Sequence, residues 1–352
     1  AQELMNIQCE ACHGPGSNHP SAPSHYTYDG ASCKQCHPQP IQWATSAHAI
    51  KPPLHMAENA DCVPCHTGQG FVVAKDHGEE PIFPNEATSE LPANMFEPGN
   101  AQPIGCPACH DPHKFTYPYS ADGGLTFKSD QLRFEGEVET PQGFVVEAEK
   151  SAVCVKCHAN KRDLSYFADY LAGKKTRGAH DNTQADMFAG YGGYEYPGKS
   201  YKAALHASVV AETCVESHMS TKGSGTACST STPCANAAEV CSKSVCKADK
   251  YGGHTYAMTW TNTTSGAEVE HVETCNISGC HTGLTSFNRV PPTATGSGWD
   301  CDASTTGIQS EVQNLITDLK ACLVANPKLK DSTGEVIASG VNTKATAKEL
   351  QA

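Results

Sequence analysis

The sequence predicts a mostly irregular fold, with short α-helices and little β structure, that is organised around bound cofactors. Only 38% of its 352 residues are hydrophobic and 7% are aromatic, which is thin material for conventional side-chain cores in a chain of this length. The chain instead contains 19 Cys and 17 His, residue types that act as attachment points and ligands. Pro and Gly are frequent between the cysteine motifs, which favours short helices joined by loops.

Charge and hydropathy exclude two classes of protein. Lys and Arg number 25 against 38 Asp and Glu, which gives a net charge of -13 and argues against a nucleic-acid backbone as partner. No apolar run approaches the roughly 18 residues of a spanning helix, so we expect a protein that does not span a membrane.

The clearest feature of the sequence is Cys-x-x-Cys-His, which occurs in five regular copies and in one stretched copy, Cys-x4-Cys-His. Structural zinc explains paired cysteines but not a His directly after every second Cys, and a disulfide framework does not involve His. Covalent c-type haem needs this pattern, because two thiols on one turn reach the two vinyl groups and the next residue places an imidazole under the iron. The motifs therefore predict a multihaem cytochrome c with six haem c groups, held by Cys9/Cys12/His13, Cys33/Cys36/His37, Cys62/Cys65/His66, Cys106/Cys109/His110, Cys154/Cys157/His158 and the stretched Cys275/Cys280/His281.

A seventh segment resembles the same motif with one sulfur missing. Cys214 is followed by Ser217 in place of the second Cys, and then by His218. One interpretation is a lone thiol followed by an unrelated His. The other is a seventh haem, attached by a single thioether at Cys214, with His218 as its axial ligand.

The remaining six cysteines predict disulfides. Four of them, Cys228, Cys234, Cys241 and Cys246, lie in an insert at 219–250 that is too poor in large apolar residues to build its own core. Two disulfides that staple this loop are the favoured interpretation, with a zinc site as the alternative. Cys322 lies on an amphipathic helix with Ile308, Val312, Leu315, Ile316, Leu319 and Leu323 at helical spacing, and Cys301 is placed to pair back onto that helix.

Disulfides and thioether-bound haem both indicate an oxidising compartment, so we expect a periplasmic or extracellular protein. No signal peptide is visible, from which we expect either a mature chain or a fragment.

Ten further histidines are available as second axial ligands. This number exceeds ordinary usage, and bis-His ligation accounts for it, because a six-coordinate low-spin iron suits electron transfer and closes the site to substrate. The ten are His19, His25, His48, His55, His77, His113, His180, His206, His254 and His271.

The motifs also divide the chain. We expect a haem-dense region at 1–218, the Cys-rich insert at 219–250, a last haem-binding segment at 251–288, and a linker, amphipathic helix and polar tail at 289–352. Alternating apolar residues between 125 and 153 predict a short hairpin beside Cys154.

Several segments resemble the large family of multihaem cytochromes c, which includes nitrifier tetrahaem cytochromes, octahaem relatives of hydroxylamine oxidoreductase and nitrite reductase, and extracellular cytochrome filaments. The resemblance covers roughly residues 7–285 and implies that family's fold, a chain of covalently bound haems. It is carried by residues 9–19 (CEACHGPGSNH), 43–48 (WATSAH), 106–113 (CPACHDPH), 181–219 and 253–256 (GHTY).

By this resemblance, the distal-ligand role falls on His19, His48, His113 and His254, and also on His180 and His206. Two departures stand out. Similar proteins tend to have a full motif where this chain has Ser217, and the insert at 219–250 is not part of the family pattern. Similar proteins also often continue beyond both ends of this chain.

The sequence therefore favours an electron-transfer protein, and not an enzyme, carrying six to seven mainly bis-His low-spin haems. Its expected partners are other redox proteins or copies of itself in an end-to-end filament. The alternative is a redox enzyme that reduces or oxidises a small nitrogen or sulfur species at an open-site haem. No Cys-x-x-Cys-Lys, a sign of such a site, occurs in the chain. The irregular sites at His218 and His281 are where we expect an open iron if there is one.

Overall fold

The computed structural model describes residues 9–13, 30–57, 59, 62–76, 101–112, 130–175, 180, 182–191, 198–201, 205–289 and 307–325. The chain divides into two compact units, one formed by 1–161 and 181–260 and the other by 162–180 and 261–352. The insert at 219–250 thus belongs to the first unit together with the regular motifs, and the stretched motif belongs to the second. The segments predicted from motif spacing follow different boundaries and stay a prediction.

Most helices are a single turn or two long. Pro lies in the first turn of three of them, Gln39–Trp43, Val63–His66 and Cys106–Cys109. At that position its missing N–H costs no helical hydrogen bond. In the first unit the helices are α1 (Cys9–His13), α2 (Gln39–Trp43), α3 (Leu54–Ala57), α4 (Val63–His66), α5 (Gly68–Asp76), α6 (Cys106–Cys109), α7 (Ala152–His158), α9 (Gln184–Phe188), α10 (His206–Val209) and α11 (Cys214–His218). Single 3-10 turns cover Cys33–Gln35, Ala47–Ala49, Glu149–Ser151 and Gly253–Thr255.

The predicted hairpin is present and carries one of two buried clusters. Strands β1 (Glu137–Glu139) and β2 (Val145–Glu147) pair antiparallel, with Val138 opposite Val146. These two valines are buried and pack with Val155 of α7 and Ala185 of α9. The hairpin therefore supports the helix that bears the fifth motif.

The second buried cluster contacts cysteines of the Cys-x-x-Cys-His motifs. Phe71, Ala108 and Val153 form its centre, and the side chains of Cys109, Cys154 and Cys157 pack against it. Cysteines of two motifs thus share one apolar environment in the first unit.

The insert at 219–250 folds as a three-stranded antiparallel sheet. Its strands are β3 (Lys222–Ala227), β4 (Glu239–Ser242) and β5 (Val245–Ala248), and β5 is central. Disulfides join Cys228 to Cys241 and Cys234 to Cys246, which confirms the two predicted disulfides. Three of these sulfurs lie within 4.8 Å of one another, but all four cysteines are oxidised, so the zinc alternative is not supported.

The second unit contains the two-turn helix α8 (Leu164–Leu171), the 3-10 turn Val272–Thr274 and the long helix α12 (Ile308–Ala325). A small sheet pairs β6 (Thr259–Thr261) with β7 (Glu268–Glu270). Asp163 caps α8, since its carboxylate accepts the Tyr166 backbone N–H at 2.7 Å. The predicted amphipathic helix is confirmed, whereas Cys301, its predicted disulfide partner, lies outside the described residues.

Within the described ranges, no helix combines the length and apolarity needed to cross a membrane.

Candidate functional site

The regular Cys-x-x-Cys-His motifs fold as single turns or short helices. Four of them lie on helices α1, α4, α6 and α7 or at the helix ends, and the second occupies the 3-10 turn Cys33–Gln35. In three motifs the His backbone N–H donates to the carbonyl of the first Cys, at 2.9 Å for His37, 3.0 Å for His66 and 2.9 Å for His110. One helical turn places residues three apart on the same face. Both thiols and the imidazole of a motif are therefore presented together.

Cys12 and Cys36, the second cysteines of the first two motifs, differ in exposure from the cysteines of the next three motifs. Both are exposed free thiols, whereas the described cysteines of the third, fourth and fifth motifs are half-buried. The physical reason is that both lie at the end of a single turn, α1 or the turn Cys33–Gln35, outside the apolar cluster that covers Cys109 and Cys154. The two turns are neighbours, since Ser32 Oγ donates to the Cys12 carbonyl at 3.1 Å. The protein therefore does not enclose these two thiols, and haem attachment at Cys12 and Cys36 stays a prediction from the motif alone.

The stretched motif accommodates its longer spacing with a bulge between Cys275 and Cys280. Asn276 anchors the bulge, since its side chain donates to the Leu284 carbonyl at 2.8 Å and accepts the Leu284 N–H at 2.7 Å. Residues 277–280 are exposed, so the stretched motif, which has two more residues between its cysteines than a regular one, loops into solvent. His281 then lines a surface pocket of about 410 Å³ together with Arg289, whose guanidinium lies 3.3 Å from the imidazole Nδ1.

Cys214 and His218 form the same one-turn arrangement as a regular motif. Helix α11 is docked on the start of α7, because Ser151 Oγ accepts the Val215 N–H at 2.9 Å and donates to the Glu212 carbonyl at 2.6 Å. His218 Nδ1 lies 2.9 Å from the backbone carbonyl of Tyr256, and His110 Nδ1 makes the same kind of contact with the Asp130 carbonyl. Such a bond fixes the tautomer and leaves Nε2 as the metal ligand.

Two motif histidines each face a predicted distal histidine. The ring centroids of His110 and His254 lie 6.4 Å apart with an interplanar angle of 27°, and those of His48 and His158 lie 6.1 Å apart at 65°. Two imidazoles on opposite sides of one metal ion have centroids about 6.5 Å apart, given metal–nitrogen bonds of about 2.0–2.1 Å and a ring half-width of about 1.2 Å. The centroid separations of both pairs are close to that distance.

Helix α2 places the distal member of each pair. The Gln42 side chain accepts the His254 N–H at 3.2 Å and donates to the Asp249 carbonyl at 3.4 Å. Gly253 has a φ of +51°, and a Cβ there would lie 2.6 Å from Gln42 Oε1, so the close approach needs glycine. His48 follows α2, which is fixed in turn because Trp43 Nε1 donates to the Ile104 carbonyl at 2.9 Å.

Burial favours the neutral form of three of these imidazoles, and the neutral form is the one that binds a metal ion. Burial, and after it the nearby His158, lowers the pKa of His48 to about 4. Burial is also the main cause of the lowered pKa of His254 and of His158, and a hydrogen bond between His158 and the Gln184 side chain opposes the shift at His158.

Thiols from different motifs meet in the first unit. The Cys65 thiol hydrogen-bonds that of Cys157, and the Cys106 thiol hydrogen-bonds that of Cys33. Burial raises the pKa of Cys109 to about 11, against the opposing charge of Arg133.

The other predicted ligands divide into described and undescribed residues. His206 begins α10 and is exposed, and His55 on α3 is exposed as well; His180 is half-buried and His271 is fully buried. Four predicted ligand candidates, His19, His25, His77 and His113, lie outside the described residues.

Sequence reasoning missed Tyr256 and Gln42, which contact the paired histidines. Tyr256 directly follows the GHT segment, but nothing in the sequence indicates what its ring contacts.

Comparisons with known protein families, with curated proteins and with solved structures found no match to this chain. The functional interpretation therefore rests on the geometry of the site and on the motifs.

Proposed function

We propose that this chain is an electron-transfer multihaem cytochrome c that carries six to seven mainly bis-His, low-spin haems. The observation that carries the proposal is the pairing of His110 with His254 and of His48 with His158 at the separation that two axial imidazoles need. In each pair, one member follows a Cys-x-x-Cys and the other lies far away in the chain. A disulfide or zinc framework gives no reason for such an arrangement.

The residues of this chain would hold haem c as follows. Cys106/Cys109 and Cys154/Cys157 attach it by thioethers, His110 and His158 bind from one side, and His254 and His48 bind from the other. When bound, haem supplies reversible one-electron redox chemistry. The paired imidazoles would occupy two coordination positions of the iron and exclude small substrates, and burial keeps His48, His158 and His254 unprotonated.

The spacing between motifs supports transfer along the chain. The Cys65 and Cys157 thiols are in contact, as are the Cys33 and Cys106 thiols, while Cys109 and Cys154 pack on one apolar cluster. These contacts link the second motif to the fourth, the fourth to the fifth, and the fifth to the third. Closely packed attachment points favour a conduit over isolated redox centres.

One observation favours the alternative of a redox enzyme at a single site. His281 of the stretched motif borders the 410 Å³ pocket beside Arg289, and a guanidinium is well suited to a small oxyanion. A nitrogen or sulfur oxyanion bound at an open iron would use this pocket. The alternative applies to the second unit alone, because the two described imidazole pairs both lie in the first.

The compartment and partners belong to the same proposal. The two disulfides of the insert support an oxidising compartment, periplasmic or extracellular. The net charge of -13 favours basic redox proteins as partners, and end-to-end assembly of copies of the chain into a filament is the proposed extension.

Haem content and spin state test the proposal. Pyridine haemochrome and the intact mass of the protein should give six or seven covalent haems per chain, and the oxidised protein should show low-spin signals in electron paramagnetic resonance (EPR). Cys214→Ser should remove one haem if the seventh site exists, and Ser217→Cys should give that haem a second thioether. Absence of covalent haem would overturn the proposal, and a stoichiometric high-spin signal would favour the enzyme.

A further inference from the structure

We propose that Tyr256 is a positioning residue that fixes the axial imidazoles of three separate haem sites at once. The inference rests on the proposed function and extends it, because Tyr256 belongs to no haem motif and ligates nothing itself. Its role would be to set the orientation of imidazole planes, and through them the electronic state of the iron centres.

The contacts of Tyr256 reach all three sites. Its ring lies 4.9 Å from the His48 ring at 72°, and 6.0 Å from the His254 ring at 60°. Its backbone carbonyl lies 2.9 Å from His218 Nδ1. These three histidines serve the fifth motif, the fourth motif and the single-thioether site respectively. Within the described residues, Tyr256 is thus the side chain shared by both imidazole pairs.

The backbone at Tyr256 adopts a conformation that a bulky residue rarely takes. Its φ is +57°, in the left-handed region, where Gly or Asn would be less strained. The turn is closed by hydrogen bonds from Gly252 N–H to the Ala257 carbonyl at 2.8 Å and from Thr255 Oγ1 to the Gly252 carbonyl at 2.7 Å. Strain of this kind persists where the surroundings over-determine it, and it concentrates at functional sites. The turn itself therefore does not account for an aromatic residue at this position.

The surroundings of the phenol are those of a packing surface inside the haem region. Burial raises the pKa of Tyr256, and Cys109, Cys154 and Cys106 add to the shift. The same three cysteines are attachment points of the fourth and fifth motifs. The ring is therefore buried close to cysteines of the fourth and fifth motifs.

Fixed imidazole planes have a spectroscopic consequence. The two pairs differ in interplanar angle, 27° for His110 with His254 and 65° for His48 with His158. Nearly parallel planes give a rhombic low-spin ferric EPR signal, and strongly crossed planes give a more anisotropic one. If the Tyr256 ring holds His48 and His254, its removal should reduce the difference between the EPR signals of the two pairs.

The experiment compares Tyr256→Leu, Tyr256→Phe and a matched control, Tyr191→Leu, in the whole holoprotein. Tyr191 stacks on Phe144 at 4.1 Å and is 52% exposed, away from the imidazole pairs. We expect Tyr256→Leu to keep its covalent haem count but to lose or broaden both low-spin signals, with a shift in the potentials of those two haems. Tyr256→Phe and Tyr191→Leu should match the wild type. If the leucine variant does not accumulate, Tyr256→Met replaces it.

Two results would overturn the inference. One is a fully loaded Tyr256→Leu protein with wild-type signals and potentials. The other is a Tyr256→Phe protein that loses the signals, since that would assign the role to the hydroxyl. Both differ from failure of the proposed function, which would appear as missing haem in the wild type.

Discussion

Removing either distal histidine is the most direct perturbation of the imidazole pairs. His254→Ala should leave the iron at His110 with one protein ligand, and His48→Ala should do the same for His158. The two variants should differ in which signal they lose. His254 belongs to the pair at 27° and His48 to the pair at 65°, so the first variant should lose a rhombic low-spin signal and the second a more anisotropic one.

The expected fraction of iron that changes spin state follows from the number of ligands that each substitution removes. Each substitution empties one axial position, so one iron per chain, about one in six or seven, should change from low-spin to high-spin. The space left is that of one imidazole ring opposite its partner. Free imidazole should therefore bind there and restore the low-spin signal in proportion to occupancy.

The assay is spin quantitation by EPR on oxidised protein, with haem content determined on the same sample. Tyr191→Leu is the control, since Tyr191 is exposed and stacks on Phe144; it should leave the spectrum unchanged. The reasoning is refuted if both distal variants keep every iron low-spin, or if both lose the same signal. A loss of covalent haem equal in all three variants would point to a folding defect instead.

Three further outcomes are expected. Replacing Cys234 and Cys246 together by Ser opens a crosslink with a sequence separation of 12 and should lower the stability of the insert by about 3 kcal/mol, measured as faster proteolysis at 219–250 with unchanged haem content. Gly253→Ala should cost about 1–3 kcal/mol in thermal unfolding and disturb the neighbouring ligand, whereas Gly143→Ala, also at positive φ but with nothing within 4 Å, should leave the haem spectrum intact. Burial raises the pKa of Asp186 above its usual 3.8, so its contribution to stability is present below that pH and is lost as pH rises through the folded pKa. Asp186→Asn should raise the melting temperature more at about pH 8 than at about pH 4, and an equal gain at both would contradict the buried-charge argument.

The local features of the fold could be predicted from the sequence because their chemistry acts over a few residues. The alternating apolar residues between 125 and 153 predict the hairpin, and the apolar spacing from Ile308 predicts α12. The four cysteines of the insert predicted two disulfides, but not their connectivity. Four thiols allow three pairings. Cys241 and Cys246 lie opposite each other on β4 and β5, yet they bond to Cys228 and Cys234 respectively, so local pairing of the strands does not give the connectivity.

The ligand pairs could not be predicted in the same way, because they depend on contacts between distant residues. The bond from His254 N–H to Gln42 spans 212 residues, and no local pattern encodes it. The resemblance to multihaem cytochromes implied that His48 and His254 are distal ligands without saying which motif each one serves. Their partners follow from how α2 packs against the Gly253–Thr255 turn.

The balance between conduit and enzyme depends on how each site fills its second axial position. In the first unit, His48 and His254 each lie close to a motif histidine, and under the proposed function substrate would have no free position on either iron. His281 has a pocket and Arg289 beside it, and a guanidinium that neighbours an axial imidazole can bind either an anion or a haem propionate. Arg289→Gln separates these two roles. If it abolishes the effect of added nitrite or sulfite on the EPR spectrum, the pocket binds anions at an open iron; if no such effect exists in the wild type, Arg289 neutralises a propionate and the conduit extends to this site.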